Sequence, residues 1–324
     1  MTRIVRMAAT GGPEVLVAAE AELPPPAAGE VRIRHIAAGV NFVDVYQRTG
    51  LYAVPALPAV LGVDGAGVVE ALGADVTDLA VGAHVAYAGL PAGGYAEARN
   101  IPRARLVRIP EGIDDRIAAA AMLRGITAHM LLTRVFTVGK GTTMLVHAAA
   151  GGLGLILTQW AKSLGATVIG TVGSPAKAEL ARAAGLDHAI LYRDADFAAE
   201  TRRLTGGRGV DVAYDGIGGD TLLRTLDVVS LFGTVVSVGQ AAGTLPQIPL
   251  TELGPRRSIA LARPSVFAYA NDTAAYAAAT DALFGQLAAG LKVSIGMELD
   301  LAQAAEAHMR LERGETTGSI LLRP

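Results

Sequence analysis

Between residues 143 and 262 the chain repeats one pattern, in which a short apolar run is followed by a helix-like stretch and then another apolar run. The runs are Thr143–His147, Thr167–Val172, His188–Tyr192, Val210–Asp215, Thr234–Val238 and Ser258–Ala262. The helix-like stretches Leu153–Leu164, Pro175–Ala184, Asp194–Leu204 and Asp220–Leu231 lie between the first five. Strand–helix alternation at this spacing specifies βαβ units and a parallel sheet. It predicts an α/β, doubly wound domain over residues 123–262.

The flanks read differently. Over residues 1–122, short apolar runs are broken by Gly and Pro, as in "EVLVAAEAELPPPAAGEVRIRHIAAGV" and "GVDGAGVVEALGADVTDLAVGAHVAYAG". This texture predicts a small, coiled, mostly antiparallel β-domain, with a short helix in "VNFVDVYQRT". Residues 263–324 hold an alanine-rich helix (Asp272–Ala289), a strand in "IGMELDL", a helix in "AQAAEAHMRLERG" and a last strand in "GSILLRP". That is too little to stand alone. Residues 263–324 are therefore expected to complete the domain begun by 1–122.

Composition removes whole classes of function. The chain of 324 residues has no cysteine, so disulfides, thiol nucleophiles and thiolate metal sites are excluded. A net charge of -2 gives no electrostatic footing for nucleic acid or an anionic membrane. No run of about 18 apolar residues reads as a membrane span, and "MTRIVRMAAT" has no long apolar core of a secretory signal. The expected location is cytoplasmic.

The first strand of the βαβ region runs into "HAAAGGLG", residues 147–154. A dinucleotide fingerprint has G-x-G-x-x-G at this junction. Here the three positions are Ala149, Gly151 and Gly154. Gly151 lets a backbone approach a pyrophosphate, and Gly154 lets helix and strand pack closely. Gly151, Gly152, Leu153 and Gly154 are the expected pyrophosphate turn, at a helix N-terminus whose unpaired N–H groups favour anions. Ala149 fits the first position if its φ is negative. In NAD binders an acid about 20 residues further on bonds the ribose 2′-hydroxyl. The second strand instead ends in "VIGTVGSPAK", with Gly173 and Ser174 at its tip and Lys177 one turn on. A carboxylate would repel a 2′-phosphate, whereas a hydroxyl and an ammonium hold one. Tyr192, ending the neighbouring strand, adds a donor. The pattern predicts NADPH.

With these stretches in hand, the chain resembles the NADPH-dependent quinone oxidoreductase (zeta-crystallin-like) family of the medium-chain dehydrogenase/reductase superfamily. The resemblance rests on "GGPEVL" (11–16), "GVNFVDVYQRTGLY" (39–52), "LPAVLGVDGAGVVEALG" (57–73), "HAAAGGLG", "QWAKSLGATVIGTVGSPAK" (159–177), "YDGIGGDT" (214–221) and "ARPS" (262–265). It implies a GroES-like β-domain built from both chain ends and a Rossmann NADP(H)-binding domain. It also implies a cleft between them for cofactor and substrate, and a homodimer formed through the Rossmann sheets. Zinc-dependent relatives use cysteines and a Gly-His-Glu segment. Here that segment is "LGVDGAGVV", with Asp64 and Ala66 or their neighbours at the ligand positions. The six histidines show no ligand spacing, and no metal is expected. Without a Lewis acid for alcohol oxidation, the expected substrate is an acceptor that takes hydride readily, a quinone or another small electrophile.

The resemblance places Asn41 near the nicotinamide and makes Tyr46 and Tyr52 pocket tyrosines. These three are the candidate catalytic residues. A phenol is neutral at pH 7 and can donate, and neutral donors near the quinone oxygen stabilise the charge that reduction places there. Purely structural roles are also open: Asn41 as a helix cap, the tyrosines as packing, and Asp44 and Arg48 as an i,i+4 ion pair on a helix surface. Thr127, Ile217, Val238, Gln240, Ala241 and Ser265 carry over as cofactor contacts. Arg263 reaches either the cleft or a surface partner. Two positions depart from the family: Met130 replaces an aromatic, and Gly314, beside Arg313, replaces an arginine. Alternative readings are an enone or 2-alkenal reductase and a non-catalytic NADPH-binding protein.

Overall fold

The computed structural model describes residues 1–324, which divide into two compact units, 1–126 with 266–324 and 127–265. In chain order the first part of unit one holds β1 (Thr2–Met7), β2 (Val17–Ala21), β3 (Glu30–Val40), α1 (Phe42–Arg48), β4 (Ala59–Val60), β5 (Asp64–Leu72), β6 (His84–Ala88), β7 (Ala98–Pro102) and β8 (Val107–Arg108). Helix α2 (Asp115–Met130) carries the chain into unit two. There follow β9 (Thr143–Val146), α3 (Gly152–Ser163), β10 (Thr167–Val172), α4 (Pro175–Ala183), β11 (His188–Leu191), α5 (Phe197–Leu204), β12 (Val210–Asp215), α6 (Gly219–Thr225), β13 (Val229–Ser237) and β14 (Ala260–Ala262). The chain then returns with α7 (Val266–Asn271), α8 (Thr273–Ala288), β15 (Ile295–Asp300), α9 (Ala304–Glu312) and β16 (Ser319–Arg323).

Unit one is built on a sheet of order β15-β16-β3-β5-β6-β8, with β7 also on β3, and a smaller sheet β2-β1-β4. The C-terminal strand β16 is interior: it runs parallel to β15 and antiparallel to β3, with Ile320 opposite Val40 and Leu322 opposite Ala38. One core cluster joins both chain ends, packing Val5, Met7, Val40, Leu61 and Tyr95 with Leu301, Ala307, Ile320 and Leu322.

Unit two is a six-stranded parallel sheet of order β11-β10-β9-β12-β13-β14. The order reverses between β9 and β12, so the carboxyl ends of these strands form a topological switch point, where open α/β sheets bind ligands. α3 is buried through Leu155, Ile156, Leu157, Trp160 and Ala161. The expected helix Asp220–Leu231 is too long. α6 stops at Thr225, and the β-branched pair Val228-Val229 leads into β13, which bulges where Phe232 takes φ 61°. Ser258 is likewise outside a strand. It has φ 53°, and its carbonyl accepts the Phe232 N–H at 2.7 Å. No helix is long and apolar enough to cross a membrane.

Candidate functional site

The turn after β9 is shaped by what its residues lack. Ala148, not Ala149, takes the left-handed conformation, with φ 52°. Ala149 is fully buried, and its N–H donates to Thr171 O at 3.0 Å. Its methyl group is accommodated by a glycine elsewhere: a Cβ on Gly170 of β10 would lie 2.6 Å from Ala149 Cβ. The glycine missing from the first fingerprint position is thus compensated from the next strand. Gly154 is indispensable for a different reason. A Cβ there would lie 2.5 Å from the Ala148 carbonyl oxygen and 2.8 Å from Ala149 Cα, both backbone. Gly151 caps α3, no side chain hydrogen-bonds the cap, and the first turn carries no acid. That donor set suits a pyrophosphate.

At the tip of β10, Ser174 caps α4, its Oγ accepting the Lys177 N–H at 3.3 Å. Tyr192 sits close by: a Cβ on Gly173 would lie 3.1 Å from its phenol oxygen. Partial burial, with the Arg193 guanidinium nearby, lowers the Lys177 ammonium pKa below its ordinary value. Two cations, a hydroxyl and a phenol therefore meet around a glycine tip. This fits a 2′-phosphate and would repel no part of it. Arg193 was not among the sequence candidates; its adjacency to Tyr192 at a strand end was the available signal.

Behind these turns lies a buried polar brace. His147 bridges Thr171 Oγ1 and Thr225 Oγ1, each at 2.9 Å, and Thr225 donates to Asp215 Oδ2 at 3.0 Å. Burial keeps the imidazole pKa below its ordinary value, against the pull of Asp215. Asp215 Oδ1 accepts the N–H groups of Ile217 and Gly218 at 2.8 and 2.9 Å. Ile217 and Ala241 lie on turns joined by Ala241 N–H to Gly216 O (3.2 Å) and Ala242 N–H to Ile217 O (2.8 Å). Val238 donates to Asp215 O at 2.7 Å. Arg263 holds this edge, donating to Ser237 Oγ (2.9 Å) and Gln240 Oε1 (3.2 Å). Thr127 is buried on α2, and Ser265 is exposed just past β14.

The remaining candidates belong to unit one. Asn41 caps α1 and forms a reciprocal capping box with Asp44, whose Oδ2 accepts the Asn41 N–H at 2.8 Å. Its amide Nδ2 donates to Asp64 Oδ1 at 2.8 Å. Tyr46 and Tyr52 stack edge to face at 5.2 Å, Phe42 packs 6.1 Å from Tyr46, and Tyr52 N–H donates to Tyr46 O. The expected Asp44–Arg48 surface pair does not form. Asp44 is fully buried and accepts from Tyr95 Oη at 3.0 Å, and Tyr95 also bonds His308 Nε2 at 2.8 Å. Burial raises the Asp44 pKa to about 7 and lowers that of His308 to about 3. Arg48 is 1% exposed and makes a two-pronged bond to Glu312, 2.8 Å on each arm. Both side chains turn inward, Arg48 directly onto Glu312 of α9 and Asp44 through Tyr95 to His308 of the same helix, which the local spacing could not reveal.

Parallel sheet, switch-point turns and acid-free ribose tip define a dinucleotide-dependent reductase of the medium-chain dehydrogenase/reductase superfamily. Residues 27–111 match the alcohol dehydrogenase GroES-like domain family, and residues 152–283 match the zinc-binding dehydrogenase family. The chain is 43% identical to a quinone oxidoreductase of Pseudomonas aeruginosa, over all of both chains. It is 41% identical to a 2-haloacrylate reductase of a Burkholderia species, over 97% of this chain and 96% of that one. The solved structure of Escherichia coli quinone oxidoreductase complexed with NADPH superposes with a TM-score of 0.96 at 39% identity, covering all of both chains. The chain belongs to the quinone oxidoreductase family of that superfamily.

Proposed function

We propose that the protein is an NADPH-dependent quinone reductase. The observation that carries the cofactor choice is the tip of β10, where Ser174, Lys177, Tyr192 and Arg193 gather and no carboxylate stands. Bound NADPH supplies the hydride, and the protein supplies position and electrostatics. Gly151, Gly152, Leu153 and Gly154 present backbone N–H groups to the pyrophosphate. Gly173, Ser174, Lys177, Tyr192 and Arg193 hold the 2′-phosphate. Thr127, Ile217, Val238, Gln240, Ala241 and Ser265 are the proposed contacts of the nicotinamide half. Asn41, Tyr46 and Tyr52 orient the acceptor and donate hydrogen bonds to its oxygen as charge develops there.

The first experiment follows absorbance at 340 nm with NADPH or NADH, with and without 1,4-benzoquinone. Quinone-dependent oxidation that prefers NADPH is the expected result. NADPH binding without quinone turnover overturns it. A second reading, reduction of an activated alkene, is supported by the 2-haloacrylate reductase relative. Turnover of 2-chloroacrylate or a 2-alkenal in place of quinone selects it.

Replacing Lys177 separates the two cofactors. Loss of a charge-assisted contact weakens binding by roughly 10- to 100-fold. Lys177→Ala should lose that much affinity for NADPH and little for NADH, measured by quenching of the single tryptophan, Trp160. Equal losses for both would remove the 2′-phosphate assignment.

We also propose that the protein is a homodimer, supported by β14, a short strand left at the open edge of the six-stranded sheet. Ala260→Pro interrupts this strand, and the expected result is a halved mass by light scattering. An unchanged dimer mass places the contact elsewhere.

A further inference from the structure

Asp64 is fully buried on β5, yet none of the roles above uses it. Its Oδ1 accepts from Asn41 Nδ2 at 2.8 Å, and its Oδ2 accepts the Leu123 N–H at 3.3 Å. The fold makes room for it: a Cβ on Gly39 of β3 would lie 2.3 Å from Asp64 Oδ1. On the other side, Asn41 opens the capping box with Asp44, whose N–H donates to the Asn41 main-chain oxygen at 3.0 Å. Asn41 is therefore held at its amide by Asp64 and at its backbone by Asp44. One Nδ2 hydrogen is committed to Asp64, and one remains.

The charges around Asp64 come from every neighbouring element. Arg124 on α2 offsets it while donating to the carbonyls of Val40 (2.9 Å) and Ala120 (3.2 Å). Asp64 in turn opposes the ionisation of Asp44 on α1, and the phenols Tyr87, Tyr95 and Tyr276 complete the surroundings. Burial raises the Asp64 pKa to about 6, with Arg124 and the Asn41 bond pulling the other way. Asp44 Oδ1 is buried without a hydrogen-bond partner.

We propose that Asp64 is the positioning residue of the site: as a carboxylate it locks the Asn41 amide, so that the remaining Nδ2–H is held as a donor for the oxygen of the acceptor. This rests on the reading of Asn41 as an acceptor-orienting residue. Above the Asp64 pKa the lock is closed; as pH falls through about 6 the carboxyl gains a proton and the lock loosens.

The chain has three asparagines, Asn41, Asn100 and Asn271. Protein labelled with 15N-asparagine therefore shows three side-chain amide pairs, and Asn41→Ala identifies the Asn41 pair by its loss. In the full-length protein that pair should move between pH 8 and pH 5 with a midpoint near the Asp64 value. In Asp64→Asn, which adds a fourth amide pair of its own, the Asn41 pair should lose the transition near the Asp64 value, while the Asn100 and Asn271 pairs stay as they were. With 1,4-benzoquinone, Asp64→Asn should lower kcat by roughly tenfold, the scale of one charge-assisted hydrogen bond, with KM for NADPH nearly unchanged. The same change in an Asn41→Ala background should add nothing, because the two residues act as one unit. Gly39→Ala displaces the carboxylate without altering charge, and should reproduce the spectral change if Asp64→Asn folds poorly. An Asn41 pair that ignores both pH and Asp64, or kinetic losses that multiply independently, overturns the proposal. A pair that titrates as expected in a protein that leaves quinone unreduced keeps the lock and defeats the quinone reading.

Discussion

Gly154→Val is expected to abolish NADPH binding and to destabilise unit two. The new Cβ would stand 2.5 Å from the Ala148 carbonyl oxygen and within 2.9 Å of two Ala149 backbone atoms. None of these is the end of a flexible side chain that can swing aside. α3 must lift from the turn, which breaks the close packing of Leu155, Ile156 and Trp160. Overpacking of this kind costs about 1–3 kcal/mol, and the backbone contact points to the upper end. The lifted helix also carries the N–H groups that would meet the pyrophosphate. Wild type should gain thermal stability on adding NADPH through ligand linkage; the variant should gain none. Ala149→Gly is the control, because Gly170 already leaves that side of the turn open, and it should keep the NADPH shift. A Gly154→Val protein that still responds to NADPH would mean that the phosphate cradle lies elsewhere.

The second large effect comes from the far end of the chain. Glu312→Ala should cost about 3 kcal/mol, the low end for breaking a buried ion pair. Arg48 is 1% exposed and keeps only Gly11 O, at 3.1 Å, once its carboxylate is gone. Glu312 itself is 33% exposed, so water can partly replace it, which sets the low end. Removing both charges with Arg48→Met and Glu312→Leu should cost less than Glu312→Ala alone. In that pair no charge is left buried without a partner. Urea unfolding of the three proteins reads the comparison directly. A double variant less stable than the single one would show that the pair holds α1 by attraction, beyond avoiding an orphaned charge.

What the sequence disclosed followed the range of its signals. The βαβ period, the turn at 147–154 and the missing acid at the tip of β10 are local patterns, and each lies in the structure where its period placed it. The end of α6 was misread because Val228 and Val229 continue an apolar stretch that serves a helix or a strand equally well. The partners of Arg48 and Asp44 were invisible for another reason. Arg48 meets a residue 264 positions away, and an i,i+4 spacing says nothing about what covers a helix. Gly170 carries no local signal of its role, and only the packing of β10 beside the turn brings it against the methyl of Ala149. From the sequence, Asp64 stands only at a position where zinc-dependent relatives carry a metal ligand. Its bond to Asn41 depends on how β3, β5 and α1 meet.

The placement of β16 has a consequence for how the protein is made. Residues 127–265 form one uninterrupted stretch, so the dinucleotide-binding unit can fold as soon as it has left the ribosome. The other unit must wait, because the strand between β15 and β3 is the last of its own strands to be synthesised. Until it arrives, the growing chain carries a finished cofactor-binding unit and an unfinished sheet with the β3 edge open. A ribosome that stops short of Ser319 would release a protein half complete, with its aggregation-prone half the one that was begun first.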